Sequence, residues 1–196
     1  MVRPLLISCV KTGDKYSHEY VTRLRDGVAR HLSIPHQFLC FTDDPVEGVE
    51  CSPLPMDLPG WWAKVGLAKV GTPMLYLDLD VIITGDLREV AEWEGFGIIK
   101  DWYLPGFNSS VMKFTGDEDD IWRAFEPSVM SRIKTGDQQW FTMMRPDAKT
   151  FPAEWFPSYK GMSDHGSPPS GTKAVIFHGN PKPHDIKEGW VPELWR

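Results

Sequence analysis

Two acidic side chains in the segment "YLDLDV", residues 76–81, are the clearest chemical signal in this 196-residue sequence. Asp78 and Asp80 stand two positions apart in a stretch that is otherwise typical of a buried strand. Because side chains of a strand alternate between its faces, we expect both carboxylates to point the same way, about 6–7 Å apart. Two like charges this close need a cation between or beside them. Carboxylate oxygens suit a hard divalent ion such as Mg²⁺ or Mn²⁺, which often also binds substrate phosphates.

The elements that must position these acids alternate along the chain. Tyr20, Leu24, Val28 and Leu32 recur at helical spacing. Further helices are predicted at 61–70, 85–93, 116–126 and 136–145. Short apolar runs typical of buried strands lie at 5–10, 36–44, 49–55, 73–81, 95–101, 108–114 and 173–178. The alternation predicts one α/β domain around a mostly parallel mixed sheet.

Polar residues stand where several of the predicted strands end. Asp78 and Asp80 close one strand, Asp101 follows "GFGIIK", and His178 follows "KAVIF". In open α/β sheets, ligands bind outside the carboxyl ends of the strands. His178 adds a nitrogen ligand to the two carboxylates, which favours Mn²⁺ over Mg²⁺. The sequence therefore predicts a ligand site with a metal at this edge of the sheet.

Composition excludes several other classes of function. A formal net charge of −6 does not provide the basic face that nucleic-acid binding requires. No apolar run is long enough for a membrane span, and the run at 5–10 is too short for a signal peptide. Three cysteines, Cys9, Cys40 and Cys51, are an odd number without metal-binding spacing, so we expect free thiols. We therefore expect a cytoplasmic protein.

Several segments in the same order resemble the family 8 glycosyltransferases, the group of glycogenin and the bacterial lipopolysaccharide galactosyltransferases. "LYLDLDVIITGDL" resembles their D-x-D strand, and "WWAKVGL" the basic segment that precedes it. "FNSSVMKF", "GDQQWF" and "FHGNPKPH" resemble three later blocks, so that the likeness runs from about residue 61 to 184. The resemblance implies a GT-A fold, a nucleotide-sugar donor that is usually UDP-linked, and transfer with retention of anomeric configuration. It also implies a nucleotide-sugar-binding half at 1–115 and an acceptor and closing half at 116–196.

The resemblance also implies roles for the residues at matching positions. Asp78, Asp80 and His178 would hold Mn²⁺ or Mg²⁺, and Asp80 or its neighbours would also bind the ribose. Asp137 and Gln138 would form the reacting face, with Gln138 closest to the anomeric carbon. Lys182 would contact the diphosphate, Lys64 would lie near the phosphates or the sugar, and Asp101, Asn108 and Ser109 would bind sugar hydroxyls. Lys11 and Gly179 would complete the donor-binding set. The acceptor would be an unknown glycan, lipid or protein.

Several departures from the family pattern and two alternatives remain at this point. His178 and Lys182 are four positions apart, where the family has six, and Ser110 stands where the family has glycine. A D-x-D segment followed by apolar residues also opens the haloacid-dehalogenase-like phosphatases, and "GDEDD" at 116–120 imitates their late acidic motif. A non-catalytic module that binds sugar nucleotides or glycans is the other alternative.

Overall fold

The computed structural model describes residues 4–196, which form a central sheet with helices packed against it. The predicted domain at 1–196 includes residues 1–3, which lie outside the described residues. The strands are β1 (Leu5–Lys11), β2 (His36–Thr42), β3 (Glu50–Ser52), β4 (Met74–Leu77), β5 (Val81–Ile83), β6 (Gly97–Lys100), β7 (Phe107–Phe114), β8 (Lys149–Thr150) and β9 (Ala174–Ile176). The α-helices are α1 (His18–His31), α2 (Arg88–Ala91), α3 (Asp119–Arg123), α4 (Val129–Arg132), α5 (Asp137–Met144) and α6 (Trp190–Leu194). A 3-10 helix spans Gly60–Val70, and shorter ones span Ala153–Trp155, Tyr159–Gly161 and Pro183–Asp185.

The central sheet has seven strands in the order β3-β2-β1-β4-β7-β6-β8. The pairs β2–β3, β1–β2, β1–β4 and β6–β8 are parallel, whereas β7 runs antiparallel to both β4 and β6. A second, two-stranded sheet pairs β5 with β9 antiparallel. The predicted α/β architecture with a mostly parallel mixed sheet is therefore confirmed.

Alternating side chains of the central strands divide the core into two layers. Ile7, Leu75 and Leu77 are fully buried in one layer, which also receives α1 and α6. Leu6 and Tyr76 face the other layer, together with side chains of the 60–70 helix and α5. This period-two pattern is what a sheet covered on both faces requires. It holds the carboxyl ends of β1, β2 and β4 along one edge of the sheet.

Two predictions about local structure need correction. The predicted strand at 73–81 is two strands in different sheets, β4 and β5, with the acidic pair in the turn between them. Asp78 and Asp80 are therefore not neighbours on one face of a single strand, and the separation predicted from side-chain alternation does not apply to them. The helix predicted at 61–70 is present as a 3-10 helix, whereas α4 lies in a segment where no separate helix was predicted.

The cysteines lie side by side across three neighbouring strands. The strand register pairs Cys9 with Cys40 and Cys40 with Cys51. All three are free, and Cys9 and Cys40 are fully buried, so the prediction of free thiols is confirmed. Within the described residues, every helix is too short or too polar to reach across a bilayer.

Candidate active site

Asp78 lies directly after β4, where its carboxylate is held by two donors. Its backbone N–H donates to the carbonyl of Ser110 on β7 at 2.8 Å, which fixes the chain at the point where the strand ends. The Lys64 ammonium lies 2.8 Å from Oδ1 and 2.9 Å from Oδ2, and the Tyr76 hydroxyl donates to Oδ1 at 2.5 Å. Burial raises the pKa of Tyr76, and Asp78 raises it further, so this hydroxyl stays a proton donor. Asp78 is therefore compensated by a lysine and a phenol.

Lys64 also joins Asp78 to the acid that begins α5. The buried Asp137 lies 3.6 Å from the same ammonium through Oδ2 and accepts a hydrogen bond from the Ser109 hydroxyl at 2.6 Å. Lys64 in turn donates to Ser109 Oγ at 3.2 Å. One lysine thus serves two carboxylates, with Asp78 the closer.

The pKa shifts follow from this shared cation. Burial raises the pKa of Asp137, and the attraction of Lys64 offsets only part of that rise. For Lys64, burial alone would lower the pKa, but the negative charges of Asp137 and Asp78 outweigh it and raise the pKa above its ordinary value. Lys64 is a permanent cation, whereas Asp137 is an acid that resists ionisation.

Asp80, two positions on, has its own lysine. The Lys182 ammonium pairs with Asp80 Oδ2 and donates to the carbonyl of Phe177 at 2.9 Å. The Tyr16 hydroxyl donates to the same Oδ2 at 2.8 Å. Burial raises the pKa of Tyr16, as does the charge of Asp80, so the phenol remains protonated. Both carboxylates of the D-x-D segment are therefore neutralised by a buried lysine and a tyrosine.

His178 lies beside Asp80 because the two segments share a backbone hydrogen bond. Phe177 N–H donates to Asp80 O at 3.1 Å, and His178 follows it. His178 Nε2 and Ser158 Oγ are 2.6 Å apart, and the ring stacks on Trp102 with centroids 5.1 Å apart. Burial lowers the pKa of His178, which leaves it neutral and able to bind a metal at neutral pH.

The donor set has the chemistry of a Mn²⁺ site, but its atoms are engaged elsewhere in this structure. Two carboxylates and a neutral imidazole are ligands that Mn²⁺ accepts. Among residues 4–196, no three His, Cys, Asp or Glu side chains are gathered closely enough to hold a metal ion. Instead, Lys64 contacts the Asp78 carboxylate, Lys182 contacts Asp80 Oδ2, and Ser158 contacts His178 Nε2. Metal binding would therefore exchange these hydrogen bonds for coordination.

The remaining candidate residues lie around this centre without joining its network. Lys11 pairs with Asp44, 3.2 Å away at the end of β2. Asp101 Oδ1 accepts from the backbone N–H groups of Tyr103 and Leu104, both at 2.8 Å, and so shapes the loop after β6. The buried Asn108 accepts from Ser110 N at 3.0 Å, Gln138 is half-buried in the first turn of α5, and Gly179 has a φ of +66°.

Three residues of the site were not among the sequence candidates. Tyr76 stands two positions before Asp78, and same-face alternation could have pointed to it. Tyr16 and Ser158 reach the site from distant loops, and nothing in their local sequence signals that contact.

Two surface cavities lie elsewhere on the molecule. A cavity of about 400 Å³ is lined by residues 95–96 and 144–149. A cavity of about 460 Å³ is lined by residues 84–86, 168–173 and Leu194. Neither includes a residue of the charged network, and we identify the site by its chemistry.

The fold of this chain is shared with solved glycosyltransferases. No protein-family model and no curated protein matches the sequence. The glycosyltransferase GlyE of Streptococcus pneumoniae TIGR4 superposes with a TM-score of 0.73 at 15% identity, over 98% of this chain and 59% of that one. The chain thus spans less than two thirds of GlyE.

Two further structures give the same result. The galactosyltransferase LgtC, in complex with donor and acceptor sugar analogues, has a TM-score of 0.66 at 15% identity, over 91% of this chain and 89% of that one. Mouse xyloside xylosyltransferase 1 has a TM-score of 0.60 at 14% identity, over 91% of this chain and 98% of that one. At these identities the likeness concerns the fold: this chain has the GT-A glycosyltransferase fold.

Proposed function

We propose that the protein is a glycosyltransferase that moves a sugar from a nucleoside-diphosphate sugar to an acceptor hydroxyl. The observation that carries the proposal is the pair of carboxylate–lysine contacts at the ends of the strands, Asp78 with Lys64 and Asp80 with Lys182. Such a centre offers both cations for a diphosphate and carboxylates for a metal. The GT-A fold and the order of the family-like segments support the same activity.

The proposed donor is UDP-linked, and each part of it would meet a different set of residues. Asp80 or its neighbours would bind the ribose, and Lys182 would contact the diphosphate. Asp101, Asn108 and Ser109 would hydrogen-bond the sugar hydroxyls, and Lys64 would lie near the phosphates or the sugar. Lys11, at the end of β1, and Gly179, beside His178, complete the proposed donor-binding set.

We further propose that Asp78, Asp80 and His178 hold Mn²⁺, with Mg²⁺ as the other ion suited to the carboxylates. The ion would supply positive charge to the leaving diphosphate. When donor and metal bind, the Lys182 ammonium would move from Asp80 Oδ2 to the phosphate. Lys182 would thus serve as a counter-ion in the free protein and as a phosphate ligand in the complex.

The reaction exchanges one bond at the anomeric carbon for another. The bond from that carbon to the phosphate oxygen breaks, and the bond to the acceptor oxygen forms. The acceptor's proton goes to the departing phosphate oxygen, so a carboxylate base is not obligatory. Gln138 would stabilise the cation-like centre through its amide oxygen, and Asp137 lies beside it at the start of α5. Attack on the face from which the phosphate leaves keeps the anomeric configuration.

For the acceptor we propose a partner that approaches over exposed apolar side chains near this centre. Trp61 is 56% exposed and lies against Gly136, immediately before Asp137. Tyr103 is 59% exposed and lies 5.7 Å from the His178 ring, measured between centroids. Exposed aromatic rings beside polar groups suit a sugar ring, although lipid and protein acceptors are also open to test.

We also propose that the protein works in the cytoplasm. The three free cysteines support such a reducing compartment.

A thermal-shift screen of nucleotide sugars with and without Mn²⁺ tests the proposal. A ligand that binds only the folded protein raises its melting temperature, so a UDP-sugar should raise Tm more when Mn²⁺ is present. Incubation of the best donor with candidate acceptors should then release the nucleoside diphosphate. NMR of the product's anomeric proton should show the donor's configuration.

The outcomes separate the alternatives. Binding of UDP-sugars without transfer to any acceptor would favour a non-catalytic binding module. Phosphate release from a phosphomonoester would favour the phosphatase. An inverted product would contradict retention while leaving the donor and the metal in place.

A further inference from the structure

Lys160 lies at the proposed donor site, although no sequence motif points to it. Ser158 forms a parallel bridge with Ile176, and Ile176 N–H donates to Pro157 O at 3.0 Å. These contacts hold the segment around 158 alongside β9. Lys160 follows in the short 3-10 helix, where its side chain reaches the residues after β9.

The Lys160 ammonium lies over the turn at Gly179. A β-carbon placed on Gly179 would be 2.6 Å from Lys160 Nζ, so any larger residue would push the ammonium away. The φ of +66° at Gly179 independently favours glycine at this position. In the same segment, Lys182 donates to Phe177 O. Two lysines thus contact the segment 177–179 at different residues.

Lys160 differs from the other two lysines of the site in having no counter-ion. Lys64 is shared by Asp78 and Asp137, and Lys182 pairs with Asp80. Among residues 4–196, no carboxylate lies within 4 Å of the Lys160 ammonium. The side chain is exposed, so it is available to a ligand. An unpaired cation next to a neutralised cluster is a binding group for an anion.

We propose that Lys160 is a further ligand of the donor's diphosphate group. This inference rests on the proposed function, because it needs a nucleoside diphosphate in the site. Lys182 would have to leave Asp80 before its charge is available to phosphate, whereas Lys160 is free from the start. Lys160 therefore makes the first contact with the incoming diphosphate and remains bound to it in the complex.

Calorimetric titration with UDP, uridine and inorganic pyrophosphate tests this role. Lys160→Met removes the charge and keeps most of the side-chain length, whereas Lys160→Arg keeps the charge. We expect Lys160→Met to weaken UDP and pyrophosphate binding about tenfold, as for loss of one charge-assisted hydrogen bond, and to leave uridine binding unchanged. Lys160→Arg should bind both phosphates within about threefold of the unaltered protein. The tenfold difference should shrink between about 50 and 500 mM NaCl, because the lysine is exposed.

Lys149→Met is the matched control, since Lys149 is an exposed lysine on the edge strand β8. It should leave all three affinities unchanged. Equal weakening by Lys149→Met and Lys160→Met would reduce the effect to net charge and overturn the role of Lys160. An unchanged UDP affinity in Lys160→Met, with UDP still preferred over uridine, would overturn this inference alone. If the unaltered protein binds neither UDP nor pyrophosphate, the proposed function fails together with it.

Discussion

Replacing Lys64 with methionine should destabilise the protein in a pH-dependent way. Lys64 is the cation between Asp78 and the buried Asp137, with ammonium–carboxylate distances of 2.8 and 3.6 Å. Lys64→Met keeps an unbranched apolar chain but leaves both carboxylates without that charge. Breaking a buried ion pair from one side costs about 3–5 kcal/mol. For a chain of this length, that corresponds to a fall in Tm of about 10 °C.

The sign of the pH dependence follows from Asp137. Its folded-state pKa is already raised by burial, and loss of Lys64 raises it further. A carboxyl group with a raised folded pKa stabilises the folded state fully below its unfolded pKa, and this contribution is lost as pH rises through the folded pKa. The variant should therefore be closest to the unaltered protein near pH 5 and furthest from it near pH 8.

Urea denaturation at about pH 5 and pH 8 measures this effect in three variants and in the unaltered protein. We compare Lys64→Met, the double variant Lys64→Met with Asp137→Asn, and Lys149→Met as an exposed-lysine control. The double variant should recover part of the loss at pH 8, because the buried group can no longer ionise, and it should lose most of the pH dependence. An equal loss at both pH values, with no recovery in the double variant, would refute the electrostatic account. Lost packing would then be the cause.

Three other changes test the proposed chemistry. Asp80→Asn should remove the Mn²⁺-dependent rise in Tm and lower transfer at least about a hundredfold. The control Asp117→Asn, at an exposed acid of the "GDEDD" segment, should change neither. A normal Mn²⁺ response in Asp80→Asn would contradict the metal site. Gln138→Ala should slow transfer by less than Asp80→Asn and leave the UDP affinity unchanged, because the amide would act only on the cation-like centre. Single-turnover rates measure this effect. A larger loss of rate than in Asp80→Asn would give Gln138 a more direct role. Trp61→Ala should raise the KM for the acceptor and leave UDP binding unchanged; a matching loss of UDP affinity would place Trp61 on the donor side.

The sequence was informative where local pattern and side-chain chemistry coincide. The short apolar runs correctly predicted β7, which carries Ser109, and β4, which ends directly before Asp78. The resemblance put Lys64, Asp137 and Lys182 into one site, and the structure brings Lys64 and Lys182 onto the acidic pair. The role of each residue toward a donor stays a prediction.

The sequence was uninformative where contacts join distant segments. The turn at 78–80 interrupts the predicted strand because β4 belongs to the central sheet and β5 pairs with β9, which periodicity over a short window does not reveal. The spacing of Asp78 and Asp80 predicted a metal as their counter-ion. It did not predict that lysines pair with the two carboxylates, because those lysines come from distant segments. Lys182 lies 102 positions from Asp80, and the hydroxyl of Tyr16 lies 64 positions from it.

The charges of the site also explain why a metal and the lysines are not competing answers to the problem of the acidic pair. Asp78, Asp80 and Asp137 carry up to three negative charges, and Lys64 and Lys182 return two. The unpaired Lys160 brings the total close to zero. A diphosphate adds at least two negative charges, which this balance cannot absorb without another cation. The proposed divalent ion, held by the carboxylates, would supply that charge. The lysines therefore pair with the carboxylates in the free protein, and the proposed metal would compensate the charge that the donor brings.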